Sequence, residues 1–472
     1  MFTVYRIHYI NDVDVNNRKI KKNKNKSILS RLIKANNTDV WKKGSQGIMT
    51  AKPDLYSKAA YYHLRENEIT NIASNEEDGQ NDSTFRWRDL HLHVYHGLKF
   101  TVLLLTVVPV CIIYSSMKII VQRKRSFCLD HVNRIFLRQS SWILDERICQ
   151  YVLNPLFVCL YPSTFSIPTY VSYDIPLEDQ ESLENNIFRN RALNAPKAVN
   201  TKFYTYVMPQ EFDPSTDPVL VFYHGGGYAL KLTPTSLSFL SNMRNAFPKM
   251  AILVPDYTVT ATDEQSKKYP LQVLQSVAIF DYITKTMGCK NVIIMGDSAG
   301  GNAVLNIVLY LEKCHRDVYP KKVIAVSPWA NATFFHEGEK EHMLRTQQWD
   351  GLCLKSHSMF GRMFVGNNPN VDFTNDPFVN IEKNFETKVW REILKKCSVM
   401  ITYGSDELLS LQNEILAKKM CEASDGSDYF TSKNVLVEHQ GFHTGPIVNY
   451  SRNMDRWTRI PSISRILEFM QS

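Results

Sequence analysis

Short apolar runs recur along the C-terminal part of the chain, near residues 219–223, 251–254, 292–295, 323–326, 398–403 and 434–438. Each is followed by a stretch of helical character. Apolar runs of strand length predict strands buried on both faces. Their alternation with helices predicts a mostly parallel sheet covered on both sides. A different pattern lies upstream. Phe100 to Met117 contains no charged residue, is bracketed by Lys99 and Lys118, and is extended by Ile119-Ile120-Val121. A bilayer-spanning helix needs about twenty mainly apolar residues, with a range down to about seventeen. Pro109 in its middle is tolerable in lipid. The segment lies too deep in the chain for a cleavable signal peptide, so it predicts a signal anchor with one membrane span. A buried core helix is the alternative. Residues 1–96 are polar, rich in Asn and Lys, and without sustained periodicity, which predicts a largely disordered region. The chain therefore divides at about 1–96, 97–121, 122–195 and 196–472.

Candidate chemistry begins at the third of the apolar runs. Val292-Ile293-Ile294-Met295 leads directly into Gly296-Asp297-Ser298-Ala299-Gly300-Gly301-Asn302, and an apolar stretch from Ala303 to Leu311 follows. Strand, sharp turn and helix in that order push a serine hydroxyl out of a strained turn. Gly296 and Gly300 let strand and helix approach without side-chain clashes, and Ala299 can offer its N–H to an oxyanion. Upstream, the run Val219 to Tyr223 leads into His224-Gly225-Gly226-Gly227-Tyr228. Successive glycines bring backbone N–H groups close to a ligand, and such a loop supplies oxyanion donors in acyl-transfer enzymes. His224 is expected to orient this loop rather than to shuttle protons.

The other partners of a nucleophilic serine should follow in the order acid, then histidine. Asp406 follows the run Ser398 to Tyr403 and would sit at the carboxyl end of a strand, where α/β sheets place functional groups. Glu407 is the alternative acid. His443 follows the run Asn434 to Glu438 and lies among small residues, so it is preferred as the base, with His439 as the alternative.

The residues G-D-S-A-G-G-N (296–302) together with H-G-G-G-Y (224–228) resemble the hormone-sensitive-lipase branch of the α/β-hydrolases. Ala229 to Pro234, Val254-Pro255-Asp256-Tyr257, Tyr269-Pro270-Leu271-Gln272 and Ser327-Pro328-Trp329 narrow the similarity to the fungal steryl acetyl hydrolases (steryl deacetylases), over roughly residues 140–470. The resemblance implies an α/β-hydrolase fold, nucleophile Ser298, acid Asp406 and base His443. It implies oxyanion donors at Gly226, Gly227 and Ala299, and a deacetylase that acts on sterol acetates without metal or organic cofactor. Much of the wider branch has Asp-Pro-Leu around the acid, where this chain has Asp406-Glu407-Leu408. Cap elements are expected within 122–195 and in an insertion at 335–392. The aromatic residues and methionines of that insertion could line a sterol pocket or simply pack a core.

Composition changes this picture little. Hydrophobic residues make up 44% and charged residues 22%, which suits a globular enzyme. The net charge of +8 sits largely in an N-terminal run and beside the apolar segment, without the aromatic platforms of a nucleic-acid binder. The expected partners are an apolar ester and the lipid bilayer through residues 100–117, with no nucleic acid. Nine scattered cysteines include no C-x-x-C pair and no Cys-His metal spacing. More basic residues flank the apolar segment on its C-terminal side (Lys118, Arg123, Lys124, Arg125, Arg134, Arg138) than on its N-terminal side (Arg86, Arg88, Lys99). The positive-inside rule then favours a cytosolic C-terminal domain. The resemblance implies instead an endoplasmic-reticulum membrane protein with a lumenal catalytic domain, where the sequons at Asn331 and Asn449 would permit glycosylation. Two rival functions share these motifs: a general carboxylesterase or lipase, and a catalytically inactive hydrolase-fold scaffold.

Overall fold

The computed structural model of the chain describes residues 89–122, 129–161, 165, 168–180, 197–366, 373–448 and 453–472. The expectations for residues 1–88, for Arg123 to Arg125 and for the sequon at Asn449 lie outside the described residues. Eight strands form one sheet in the order β1-β2-β4-β3-β5-β6-β7-β8. They are β1 (Thr169–Asp174), β2 (Ala198–Val207), β3 (Pro218–Tyr223), β4 (Ala251–Pro255), β5 (Asn291–Asp297), β6 (Lys322–Val326), β7 (Ser398–Gly404) and β8 (Val435–Glu438). β3 to β8 pair in parallel, while β1–β2 and β2–β4 pair antiparallel. This is the α/β-hydrolase arrangement.

The six apolar runs became β3 to β8. The first two strands were not anticipated, and β1 falls inside the segment assigned to linker and cap elements. The reason is the edge of the sheet. β2 alternates buried and exposed positions at its start, and only Val171 of β1 is buried, so neither strand reads as a continuous apolar run. In the centre, both faces are covered. Val219, Val221 and Tyr223 of β3 enter one core, while Leu220 and Phe222 enter the other. Period-two alternation thus divides a uniformly apolar strand between two cores.

The helices are α1 (Leu90–Gln122), α2 (Leu129–Ile143) and α3 (residues 146–159, with a π-helical turn at Cys149–Leu153). There follow α4 (Pro234–Ala246), α5 (Leu271–Asp281), α6 (Ala299–Lys313), α7 (Glu339–Thr346), α8 (Leu354–Val365), α9 (Thr387–Lys396), α10 (Ser410–Ala423), α11 (Gly445–Val448), α12 (Met454–Thr458) and α13 (Pro461–Gln471). α5, α6, α9 and α10 contribute to one core, α4, α12 and α13 to the other.

α1 is the one described helix long and apolar enough to cross a membrane. Only 6% of its apolar window is buried, which argues against a core helix. It starts earlier than the predicted 97, because its first turns are held by the protein. His93 Nδ1 hydrogen-bonds the Tyr151 carbonyl at 2.6 Å, and the His96 ring stacks on Tyr151.

In the 335–392 insertion, most of the large apolar side chains are core. Met343 and Phe364 are fully buried, whereas Phe360 faces the cavity described below. Asn331 is also fully buried, and its Nδ2 donates to Glu382 Oε2 at 2.8 Å. A glycan there would need the space that Glu382 already occupies, so the fold as it stands has no room for one at this sequon.

Candidate active site

The sheet order places the site. β4 lies on one side of β3 and β5 on the other, so the chain reverses direction across the sheet at β3. The crevice beyond the carboxyl ends of strands at such a switch point is where open α/β sheets bind ligands. The loop from His224 leaves β3 there, and the turn at Ser298 leaves β5 beside it.

Ser298 has φ 54° and ψ −114°, a conformation that side chains rarely adopt. Its surroundings leave no alternative. Its N–H donates to the Val326 carbonyl at 2.9 Å, and Trp329 N donates to its carbonyl at 3.0 Å. The flanking glycines permit the turn: a Cβ on Gly300 would lie 1.9 Å from the Tyr223 carbonyl oxygen, and one on Gly296 2.2 Å from that of Gly300. The Ser298 hydroxyl is thereby delivered to His443, whose Nε2 lies 2.9 Å from Oγ.

Behind Ser298, the buried carboxyl of Asp297 accepts from Gly225 N at 2.9 Å and so fastens the glycine loop to the elbow. Burial pushes this carboxyl up to about 7. Gly226 (φ 104°) and Gly227 (φ 61°) carry the loop past the hydroxyl. The N–H groups of Gly226 and Gly227 have no protein acceptor among the described residues, and Ala299 begins α6, where an N–H has no intrahelical partner. His224 is buried and stacked on Tyr257, its Nδ1 bonded to the Gly225 carbonyl at 2.8 Å. Burial lowers it to about 4, and it serves as a loop support. The Asp256 and Tyr257 pair has matching jobs. Asp256 holds Lys231 at the loop's end at 2.6 Å, and the Tyr257 hydroxyl donates to the His224 carbonyl. From α3, buried Asn154 receives Lys231 N and donates to the Ala229 carbonyl, each at 2.9 Å.

Asp406 and Glu407 are consecutive, and the turn after β7 sends them in different directions. Glu407 is fully buried, and its Oε2 lies 3.9 Å from His443 Nδ1. That carboxylate also accepts from Ser327 Oγ at 2.6 Å, Gly404 N at 3.2 Å and Asn413 Nδ2 at 2.8 Å. Asp406 instead directs Oδ2 to Arg134 of α2, at 4.0 Å. The geometry therefore brings the alternative acid, Glu407, to the histidine and does not bring Asp406 there. His443 Nδ1 has no hydrogen-bond partner among the described residues. His439 is exposed, away from the site.

Three supporting residues went unrecognised in the sequence. Asp350, between α7 and α8, is fully buried. Its Oδ1 accepts from His443 N at 2.7 Å and its Oδ2 from Leu408 N at 2.6 Å, so it ties the histidine loop to the acid loop. Its only signal is an Asp-Gly pair, which reads as an ordinary turn. Ser327 (φ 46°) links Glu407 to Thr444 N at 3.0 Å, which accounts for the Ser327-Pro328-Trp329 signature. Arg134 donates to the Gln440 carbonyl at 2.7 Å and lies over the Phe442 ring, gripping the histidine loop from α2.

Burial moves both halves of the pair toward neutrality. It lowers His443 to about 3 and raises Glu407 to about 8, with the nearby Asp350 carboxyl adding to the latter. A neutral imidazole whose Nε2 faces a serine hydroxyl is competent as a general base. Over these groups lies a mainly apolar cavity of about 340 Å³. Its walls come from α8 (His357, Phe360), α11 (Ile447, Val448), α2 (Leu137, Ser140, Ser141), α3 (Leu153, Phe157) and Phe100 of α1. Such a site can form and hydrolyse an acyl-serine from an apolar ester.

A family model described as steryl acetyl hydrolase matches residues 98–469. The chain is 80% identical over 424 residues to steryl acetyl hydrolase 1 of Saccharomyces cerevisiae, covering 90% of this chain and 100% of that protein. It is 27% identical over 274 residues to mug81 of Schizosaccharomyces pombe, covering 54% of this chain and 68% of that one. Among solved structures it is similar to a thermostable esterase from Pseudomonas putida ECU1011, with 15% identity and a TM-score of 0.47, covering 74% of this chain and 92% of that one.

Proposed function

Because the chain belongs to the steryl acetyl hydrolase family, we propose that it is a membrane-anchored serine hydrolase that removes acetyl groups from sterol acetates and related esters of apolar alcohols. The observation that carries this reading is the 2.9 Å contact between Ser298 Oγ and His443 Nε2, at a strained elbow beside loop N–H groups that have no acceptor among the described residues. His443 takes the hydroxyl proton as Ser298 attacks the ester carbonyl. Gly226, Gly227 and Ala299 donate to the oxyanion, where one lost donor costs roughly 100- to 1,000-fold in rate. The imidazolium returns the proton to the departing alcohol. Water then loses a proton to His443 and attacks the acyl-serine, the imidazolium returns that proton to Ser298 Oγ as the acyl–oxygen bond breaks, and acetic acid leaves as acetate.

Glu407, rather than Asp406, supplies the counter-charge to the imidazolium. At 3.9 Å the two groups approach at ion-pair distance, and catalytic hydrogen bonds tighten as the transition state forms. Once the histidine is charged, attraction favours the ionised form of Glu407, opposing the burial that otherwise keeps it protonated. α1 attaches the enzyme to the endoplasmic-reticulum membrane, and the catalytic domain is proposed to face the lumen. Asn331 offers no glycosylation test of that side, so protease protection in sealed microsomes decides it.

The assay that tests the function offers full-length protein a sterol acetate, a phenyl acetate and a long-chain triglyceride side by side. The sterol acetate should have the highest kcat/KM, because apolar contact stabilises by about 25 cal/mol per Å² buried. A clear win for triglyceride makes the enzyme a lipase. Absence of all activity in a folded sample leaves the scaffold alternative.

A further inference from the structure

α1 is more than a tether. Its first half, from His93 to Val108, is seated on the catalytic body. His93 and His96 meet Tyr151, and Lys99 Nζ pairs with Asp145 Oδ2 at 2.5 Å. Asp145 in turn caps the start of α3 through Ile148 N at 2.8 Å. Val108 is completely enclosed. On the opposite face of the same turns, Val94, Leu98, Val102 and Leu105 are each more than half exposed. One side of this apolar helix thus packs on protein, and the other has no protein partner among the described residues.

Phe100 lies on the packed side and reaches the cavity that contains Ser298 and His443. Its neighbours in that wall, Leu137, Ser140 and Phe157, come from α2 and α3, the helices on which α1 rests. Those same helices present Phe136, Trp142, Leu156 and Leu160 outward. The helices that wall the cavity thus also carry exposed apolar side chains beside the candidate span. Exposed apolar side chains that neighbour a helix able to cross a membrane suit contact with lipid.

Building on the function proposed above, we infer that the sterol ester enters the cavity sideways from the hydrocarbon layer, past Phe100 and between α1, α2 and α3. The acetyl end advances to Ser298 while the sterol body lies against Phe100, Leu137 and Phe157, still continuous with the bilayer. The freed sterol returns by the same route. Entry of this kind avoids transferring the ring system through water, and that transfer is costly in proportion to its apolar area.

The test uses the full-length protein in phospholipid vesicles containing steryl acetate. At constant bulk concentration, adding phospholipid should lower the initial rate in proportion to the mole fraction of steryl acetate in the bilayer. A rate that follows bulk concentration, or that is equalled when cyclodextrin delivers the ester to detergent-solubilised enzyme, overturns the lateral route while leaving the proposed activity standing. Wild-type protein that hydrolyses phenyl acetate but no steryl acetate by either delivery takes down the substrate assignment and the route together. Phe100→Trp adds a second readout. Overfilling an apolar wall should lower the ratio of kcat/KM for vesicle-borne steryl acetate to that for phenyl acetate by roughly tenfold. An unchanged ratio in a variant that still turns over phenyl acetate counts against the role of Phe100. If that variant fails to fold, the dilution series on the wild type decides.

Discussion

The Glu407 carboxylate lies 3.9 Å from Nδ1 of His443, whereas the adjacent Asp406 carboxylate turns to Arg134. One residue of phase in the turn after β7 separates a buried acid with hydrogen bonds from Ser327, Gly404 and Asn413 from one that faces Arg134. The expected outcome is asymmetric. Glu407→Gln should lower kcat by roughly 10³- to 10⁴-fold, as loss of a triad acid does, and Asp406→Asn by no more than a few-fold. Steady-state kinetics on phenyl acetate with both variants measure it. The reverse order would restore Asp406 as the acid.

Ser298→Ala should remove activity by roughly four orders of magnitude or more while the fold persists. Circular dichroism and unfolding of the variant check the fold. Near wild-type turnover in a folded sample would overturn the nucleophile.

The ionisation of Glu407 should be visible in stability. Burial raises it from 4.5 to about 8. Below pH 4.5 the group is protonated in folded and unfolded chains alike and contributes no difference. Between about 4.5 and about 8 the unfolded chain has lost this proton and the folded chain retains it, so stability declines as pH rises, and the decline is complete above about 8. Glu407→Gln stays neutral throughout, so its Tm should improve relative to wild type across that window. Activity that needs the ionised acid should climb over the same range. A constant Tm difference would mean that the folded protein ionises Glu407 as readily as the unfolded chain.

Asp350 is predicted to hold the two catalytic loops in phase. Asp350→Ala leaves the N–H groups of His443 and Leu408 without acceptors, at about 1–3 kcal/mol for each buried group. Denaturant unfolding should register the loss. kcat for phenyl acetate should fall more than KM changes, because the histidine moves and the apolar pocket remains. Asp350→Asn, which retains an acceptor oxygen, should recover part of both.

The proposed anchoring through α1 predicts that full-length protein remains in the pellet after alkaline carbonate extraction. Release into the supernatant would rule out an integral span. Deletion through residue 122 is expected to yield a poorly soluble domain, since it uncovers the faces of α2 and α3 and opens the cavity where Phe100 stood. A well-behaved soluble deletion with intact steryl acetate turnover would show that α1 contributes nothing to the site.

Much of the site was legible because its chemistry is local. G-D-S-A-G sits on consecutive residues, and the glycines are required by backbone contacts within a few residues of the serine or across one strand pair. Tyr223 against Gly300 is the clearest case. The parallel strands were equally legible, since burial on both faces leaves an unbroken apolar run. β1 and β2 were missed where one-sided burial at the sheet edge dilutes that signal.

By itself, the order of residues determined the sharp turn at Ser298, the glycine loop, six strands and the apolar helix, all properties of near neighbours along the chain. Tertiary structure alone decided which of two adjacent carboxyls meets His443, because that depends on how the turn after β7 packs against Ser327 and Asn413, 80 and 6 residues away in sequence. It also brought Asp350 between two loops, closed the sequon at Asn331 over Glu382, and set Phe100 in the wall of the catalytic cavity. Each of these rests on contacts between separate segments, whose distances and directions exist only once the sheet and the helices around it have packed together.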